Sequence, residues 1–168
     1  DYNRKETNEA HNGIRNIYSV SRSVIDCDVF INLPKLKTHK KAGITCCLKN
    51  LVGINTYKNY LPHYNEGNPD ELGDQFPRQN RNSRIEGPLL AFIKQHFLTN
   101  TFLARILKPG VKIGTRIFGK TNKVIRSGNW YGNDVIWRTI LDLNKVFFYS
   151  NGDGSLRPDN LIYAKKYI

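Results

Sequence analysis

Methionine is absent from this chain of 168 residues, and acids are scarce: 14 Asp and Glu stand against 26 Lys and Arg. With no Met and a first residue Asp1, the chain is expected to be a segment cut from a longer protein. Cysteine is limited to Cys27, Cys46 and Cys47. An odd count with two adjacent members argues against a disulfide framework. No CxxC occurs and no His/Cys group has zinc spacing, which argues against a zinc or iron–sulfur site held by this chain alone. The expected setting is cytoplasmic, with reduced thiols. No apolar run approaches the roughly 18–20 residues of a membrane span, and no signal-peptide pattern, internal repeat or low-complexity tract is present. A hydrophobic content of 39% and a mean hydropathy of -0.52 support one modest core with much polar loop.

What is abundant is positive charge. The net charge is +12, and residues 78–126 hold eleven Lys or Arg against Glu86 alone, so this block carries +10 of it. Such a block suits nucleic acid, an anionic membrane surface or an acidic partner. The plainer reading is a solvated face balanced by acids elsewhere in a longer protein. Nucleic acid is disfavoured, because no aromatic-rich strand motif or recognition-helix pattern accompanies the charge.

The chain reads as one α/β domain: a strand–loop–helix core segment (1–54), a basic loop and helical excursion (55–128), and a helix with a C-terminal strand (129–168). Residues 1–16 are polar and read as irregular, and 17–26 as a short helix. "DVFINL" (28–33) is β-branched and apolar and reads as a buried strand, ended by Pro34. "TCCLKNLV" (45–52) reads as a short helix with Thr45 as N-cap and Gly53 after its end. Residues 55–87 form a long loop, a length usually reserved for function or disorder. Residues 87–110 are helical in character, but their apolar positions shift face near Thr99-Asn100, which predicts a break into two helices. "VKIGTRIFGK" (111–120) suits a strand or a loop. "NDVIWRTILDLNKVFFYS" (133–150) is the clearest helix. Asn133 or Asp134 caps it, Asp134 and Arg138 pair at i,i+4, and Ile136, Ile140, Leu143 and Phe147 form its apolar stripe. "NGDG" (151–154) is a turn.

The chemistry concentrates in "INLPKLKTHKKAGITCCLKNLVG" (31–53), where five lysines and a histidine sit between apolar runs. Lys35, Lys37, His39 and Lys41 alternate. If the chain stays extended after Pro34, period two puts all four on one side and Leu36 and Thr38 on the other. Gly43 then permits close backbone approach, and a helix opening at Thr45 would aim free N–H groups at the same place, a ready anion site. Lys49 lies one turn further, followed by Asn50. Crowded ammonium groups lower one another's pKa, so a lysine here could act as nucleophile or base. His39 beside cations would stay neutral, free to accept a proton. The plainer readings are a solvated basic loop and a hydrogen-bonded histidine.

"DVFINLPKLKTHKKAGITCCLKNLVGIN" strongly resembles the signature of the domain of unknown function 362 family. "YKNYLPHYNEGNPDELGDQFP" and "GNWYGNDVIWRTILDLNKVFFY" resemble its longer, bacterial branch, and together the match covers about three quarters of the chain. Some members of that family carry iron–sulfur domains, whose cysteines this chain lacks. Members usually have a further strand before this region and an acidic, glycine-containing segment after it, neither of which is present. A more distant local similarity is to lactate racemases that use a nickel-pincer nucleotide. Their order of His, Ala-Gly, hydroxyl residue and Lys is matched by His39, Ala42, Gly43, Thr45 and Lys49. That resemblance implies acid–base work for the histidine and cofactor holding for the lysine. Cys46-Cys47 stand where those enzymes have glycines, and nickel is not predicted.

Other candidates are weaker. "GNWYGND" (128–134) is either a second anion or stacking site, through Asn129, Trp130 and Asn133, or a tight turn anchored by buried aromatics. His63 and Asp70 in the long loop could complete a site or lie on a plain surface. His11 and His96 belong to no constellation, and Cys46-Cys47 read as small buried helix residues. The sequence therefore leads to an enzyme-like domain binding an anionic, phosphate- or carboxylate-bearing small molecule or cofactor of unknown identity. Lys35, Lys37, Lys41, Gly43, Thr45 and Asn50 would hold it, with His39 and Lys49 in catalytic roles. The rival is a basic module docking through residues 78–126 on an anionic membrane or a polyanion. The missing remainder of the parent chain is a further expected partner.

Overall fold

A computed structural model gives the fold, describing residues 3–78 and 128–158 with their side chains and residues 166–167 as backbone. The expectations for 87–110 and 111–120, and nearly all of the basic block, lie outside the described residues.

In chain order the elements are α1 (Arg4–Ala10), α2 (Arg22–Ile25), β1 (Val29–Phe30), β2 (Lys37–His39), β3 (Gly43–Thr45), α3 (Cys47–Asn50), α4 (Val135–Tyr149) and β4 (Lys166–Tyr167). Short 3-10 turns cover Leu51–Ile54, Lys58–Tyr60 and Pro69–Glu71. β1 pairs with β4 in parallel, and β2 with β3 as an antiparallel hairpin. The architecture of the described residues is mixed α/β, as the sequence suggests.

The buried clusters of the described residues both gather on α4. Its predicted stripe of Ile136, Ile140, Leu143 and Phe147 is at most 1% exposed. Leu143 and Phe147 meet Leu51 and Ile54 in one cluster, with Phe30 and Val20 against it, and Ile136 and Ile140 close on Ala42 in another. The helix starts where two side chains take its free amides. Asn133 Oδ1 accepts from the Ile136 N–H (3.1 Å), and Asp74 Oδ2, from the long loop, accepts from Asp134 (2.9 Å) and Val135 (2.8 Å). Asp134 turns instead to Arg138, as its i,i+4 spacing implies. The helix stops at Ser150, which is extended, before the Asn151–Gly154 turn.

Four local expectations change. Residues 1–16 are not irregular: α1 forms because Asn3 caps it, accepting from the Glu6 N–H at 3.4 Å. The Asn-x-x-Glu spacing is a capping-box pattern legible in the sequence. The helix expected over 17–26 shrinks to Arg22–Ile25, because Val20 bridges Asn55 instead. The strand over 28–33 is two residues long, and Val29 (48%), Ile31 (59%) and Leu33 (85%) are exposed rather than buried. Apolar β-branched composition favours a strand but does not say what covers it. Finally, the chain does not run extended from Pro34 into a helix at Thr45. It folds back as the β2–β3 hairpin, so Thr45 is a strand residue paired with Lys37, and Cys46 precedes α3. Gly53 lies within the following 3-10 turn rather than beyond a helix end.

The long loop is built rather than loose. Asn68 and Glu71 form a capping box around the Pro69–Glu71 turn. Gly73 is required there, since a Cβ would meet the Glu66 carbonyl oxygen at 2.1 Å. Asp74 ties the loop to α4, taking the Asn65 N–H on its second oxygen (2.5 Å). Asp74→Ala leaves three amides without acceptors and is expected to cost about 2–3 kcal/mol in urea unfolding. Arg138→Ala, which breaks only an exposed i,i+4 pair, is expected to cost about 0.3–0.5 kcal/mol. Equal midpoints for the two variants would remove Asp74 as the clasp of the helix.

Candidate functional site

The hairpin register decides which side chains meet. Lys37 stands opposite Thr45, and His39 opposite Gly43. Directly opposed residues of an antiparallel pair share a face, and so do residues two apart on one strand. Lys37, His39 and Thr45 therefore lie on one face, with Thr38 and Ile44 on the other. The turn is Lys40-Lys41-Ala42, closed by Gly43 at φ +70, a left-handed conformation that favours glycine.

This turn holds His39. The imidazole Nδ1 accepts from the backbone N–H groups of Ala42 (3.1 Å) and Lys41 (3.3 Å). Nδ1 is thus the unprotonated nitrogen, and the neutral ring carries its proton on Nε2. Adding a second proton would break both amide contacts. Burial, then the charges of Lys49, Lys41, His63 and Lys37, lower the His39 pKa from 6.5 to about 4. The sequence expectation of a neutral histidine agrees with this, but its accepting nitrogen is already engaged by the backbone.

Lys49 approaches from α3. Its ammonium is held below the ordinary lysine value by burial first and by Lys37 second. The short helix is fixed from below. The Asn32 amide donates to the Cys47 carbonyl (2.9 Å) and accepts from Asn50 (2.6 Å). Asn144, on the buried side of α4, donates to the Leu48 carbonyl (3.0 Å). The long loop supplies the opposite wall. Asn133 Nδ2 donates to the His63 carbonyl (2.8 Å) and Thr139 Oγ1 to that of Pro62 (3.1 Å). The Lys41 ammonium lies 4.8 Å from the Tyr64 ring centroid, a cation–π contact.

Four cations and two histidines thus converge only in part as the sequence suggests. Lys49, Lys41, His63 and Lys37 all act on His39, and Lys37 also acts on Lys49. Lys35 is exposed in the irregular stretch before β2, and neither it nor Asp70 is among the charges acting on His39. Tyr64 is an addition that sequence reasoning missed, its only signal being an aromatic next to His63. No salt bridge among the described residues involves Lys37 or Lys49; the described pairs are Arg4–Glu66, Arg22–Asp26 and Arg138–Asp134. The Thr45 hydroxyl, on a residue 8% exposed, has no hydrogen-bond partner.

The second candidate region serves the fold. Asn133 is 1% exposed, and its amide spans two carbonyls and one amide of the backbone. Trp130 Nε1 donates to the Asp74 carbonyl (2.7 Å), while Tyr131 is 99% exposed rather than a buried anchor. Asn129 is half-buried in the same turn. The Asp74 carboxylate already occupies the amides of this helix start. Two clefts flank the loop, one beside Arg4, Tyr64 and Glu66 and one beside Leu72, Asp74 and Arg138. Neither is lined by His39 or the clustered lysines. Cys46 and Cys47 are exposed, which corrects the expectation that they are buried.

Two measurements check the histidine. Nitrogen chemical shifts are expected to show His39 as the neutral Nε2–H tautomer from pH 8 down to 5, whereas imidazolium at pH 6 would contradict the turn geometry. Its folded pKa lies below its unfolded value, so the unfolded chain binds more protons between about 4 and 6.5. Stability from His39 is therefore complete above pH 6.5 and lost as pH falls toward 4. Between pH 7.5 and 5, the wild type is expected to lose more unfolding free energy than His39→Gln.

No curated protein and no solved structure matches the chain. A family profile described as a domain of unknown function (DUF362) does match, over residues 1–162. The hairpin, α3, the long loop and α4 all fall within that span, and the chain belongs to the DUF362 family.

Proposed function

We propose that the β2–β3 hairpin, α3 and the loop at His63-Tyr64 form the binding site of an enzyme-like domain for an anionic, phosphate- or carboxylate-bearing small molecule or cofactor. The observation that carries this reading is a deficit of acceptors. The Lys37 and Lys49 ammonium groups repel one another with no carboxylate bonded to either among the described residues. Beside them the Thr45 hydroxyl is buried without a partner. Lys37 is exposed and Lys49 half-buried, so the buried defect is the Thr45 hydroxyl, and a bound oxyanion would offset the lysine repulsion and satisfy that hydroxyl together. α3 has only four residues, so the reading rests on side chains and not on a helix N-terminus.

In this arrangement Lys37, Lys49 and Thr45 hold the anion and His39 presents Nε2–H to it. Lys41, held over Tyr64, borders the site. The racemase resemblance points to the same His39 and Lys49, but the reading takes no metal from it. The chain is further read as part of a larger α/β protein in the cytoplasm. Support comes from β1, a parallel strand whose own Val29 and following Ile31 and Leu33 are exposed, since parallel sheets are normally covered on both faces. The three cysteines are free, as reduced thiols would be. No helix among the described residues is long and apolar enough to cross a membrane. A second reading, docking of residues 78–126 on an anionic membrane or polyanion, is supported by that block's +10 charge.

Calorimetric titration with small phosphorylated and carboxylated ligands separates the two. A site keeps its selectivity between anions at 0.3 M salt, while a polyanion surface loses affinity for all of them steeply. Lys37→Ala and Lys49→Ala are each expected to weaken binding about tenfold or more. Thr45→Val is expected to leave stability unchanged or raised while weakening binding about three- to tenfold. Retained affinity in all three variants would move the ligand elsewhere.

A further inference from the structure

We infer that Cys46 and Cys47 form a two-sulfur chelating site for a soft, pyramidal thiophile, the trivalent arsenic of arsenite or of a monosubstituted arsenical, at the corner between β3 and α3. The inference is independent of the anion-binding reading and uses neither its lysines nor its histidine. Adjacent cysteines do not by themselves meet, because neighbouring side chains of an extended strand point to opposite faces. This pair leaves the strand. Thr45 is the last residue of β3, Cys46 is extended at φ -147 and ψ -164, and Cys47 opens α3. Across that corner the Cys47 thiol is hydrogen-bonded to the Cys46 thiol, and both residues are exposed. The backbone beneath them is held. The Cys46 carbonyl accepts from the Asn50 N–H (2.9 Å), and the Cys47 carbonyl from the Asn32 amide (2.9 Å). The two sulfurs are presented together on a fixed support, which lowers the ordering cost of binding through both.

Sulfur selects the ligand class, since thiolates favour soft cations over hard ones. A closed zinc site takes four ligands, and among the described residues no group of three or more His, Cys, Asp and Glu side chains could hold a metal. Cys27 is no third arm: it is half-buried, and its thiol donates to the Val24 carbonyl at 3.2 Å. A linear two-sulfur cation such as copper(I) would drive the sulfurs apart, to opposite sides of the metal. Trivalent arsenic takes two sulfurs close to a right angle and keeps them side by side, as the thiols already lie, with its third bond facing solvent. The exchange balances without an oxidant. Two As–O bonds break, two As–S bonds form, and the thiol protons leave with the hydroxyl oxygens as two waters. Burial first and the bond to Cys46 second raise the Cys47 thiol above its ordinary pKa. The thiolate is the nucleophile, so Cys47 alone is weakly reactive, and the pair is set apart by capture through both sulfurs.

The full chain, reduced with a phosphine, is incubated with phenylarsine oxide, whose hydrated arsenic carries two exchangeable hydroxyls and one fixed phenyl group. Intact mass is expected to show one phenylarsenic group per chain, in Cys27→Ser as in the wild type. Cys46→Ser and Cys47→Ser are each expected to weaken affinity about a hundredfold or more, the loss of an intramolecular second bond. Both positions are exposed, so neither serine empties the core. Dimercaptopropanol, a dithiol, is expected to strip the arsenic, and mercaptoethanol at equal thiol concentration to leave it bound. Unchanged affinity in either serine variant, loss of binding in Cys27→Ser, removal by the monothiol as readily as by the dithiol, or no binding by the wild type would each overturn the inference. None of these results bears on the anion site.

Discussion

Three polar side chains, buried at the start of α4 and along it, organise the described part of this molecule. Asn133, Thr139 and Asn144 are 1%, 1% and 7% exposed, interleaved with the apolar stripe. Each donates to a main-chain carbonyl of a segment with no regular structure of its own or only one turn: His63, Pro62 and Leu48. Hydrophobic contact alone is non-directional and would leave a long loop and a four-residue helix free to slide over the stripe. Hydrogen bonds to specific carbonyls fix their position along the helix axis. Ala42, 0% exposed against Ile136 and Ile140, does the same for the hairpin by shape. The helix and its start are thus both core and jig: apolar residues bind the segments, and the buried amides and hydroxyl set where they sit.

That arrangement forces like charges together. Lys37, Lys41, Lys49, His39 and His63 come from four separate segments, and no local propensity requires them to meet. Their repulsion is tolerated because the scaffold beneath is over-determined, with Asp74 clasping three amides and the Asn32–Asn50 pair locking α3 to the chain after β1. Local strain of this kind persists where surrounding structure holds it, and it is found at functional sites more than elsewhere. The neutral state of His39 is part of the same solution, since an imidazolium would add another cation to the cluster.

Much of α4 is legible in the sequence because its signals are local and agree: the stripe at helical spacing, the Asp134–Arg138 pair and the cap at Asn133. The lysine cluster is legible as composition, but its geometry is not. Alternation of Lys35, Lys37, His39 and Lys41 reads equally well as one extended ridge or as one arm of a hairpin. The decision falls to Gly43, whose left-handed φ turns the chain, and to the burial of Ala42 against a helix about a hundred residues away in sequence. Lys35 drops out for the same reason, lying before the strand begins. Asp74 carries no sequence signal beyond an acid in a loop, and its role depends on the three-dimensional approach of the loop to α4. The exposed Val29, Ile31 and Leu33 show the converse: composition favours a strand there, while burial depends on neighbours the composition does not name.

The hairpin turn of three residues has an evolutionary consequence. Side chains on a strand alternate with a period of two, so slippage by a single residue exchanges its two faces. If the three-residue turn is kept, one inserted residue would bring Ile44 opposite Lys37 in place of Thr45 and one deleted residue would bring Cys46 there, and the buried alanine would lose its seat on the helix. Replacing any one lysine dilutes the cluster, whereas an indel between His39 and Gly43 dismantles it. The five positions from His39 to Gly43 are therefore where the length of this chain should be least free to drift.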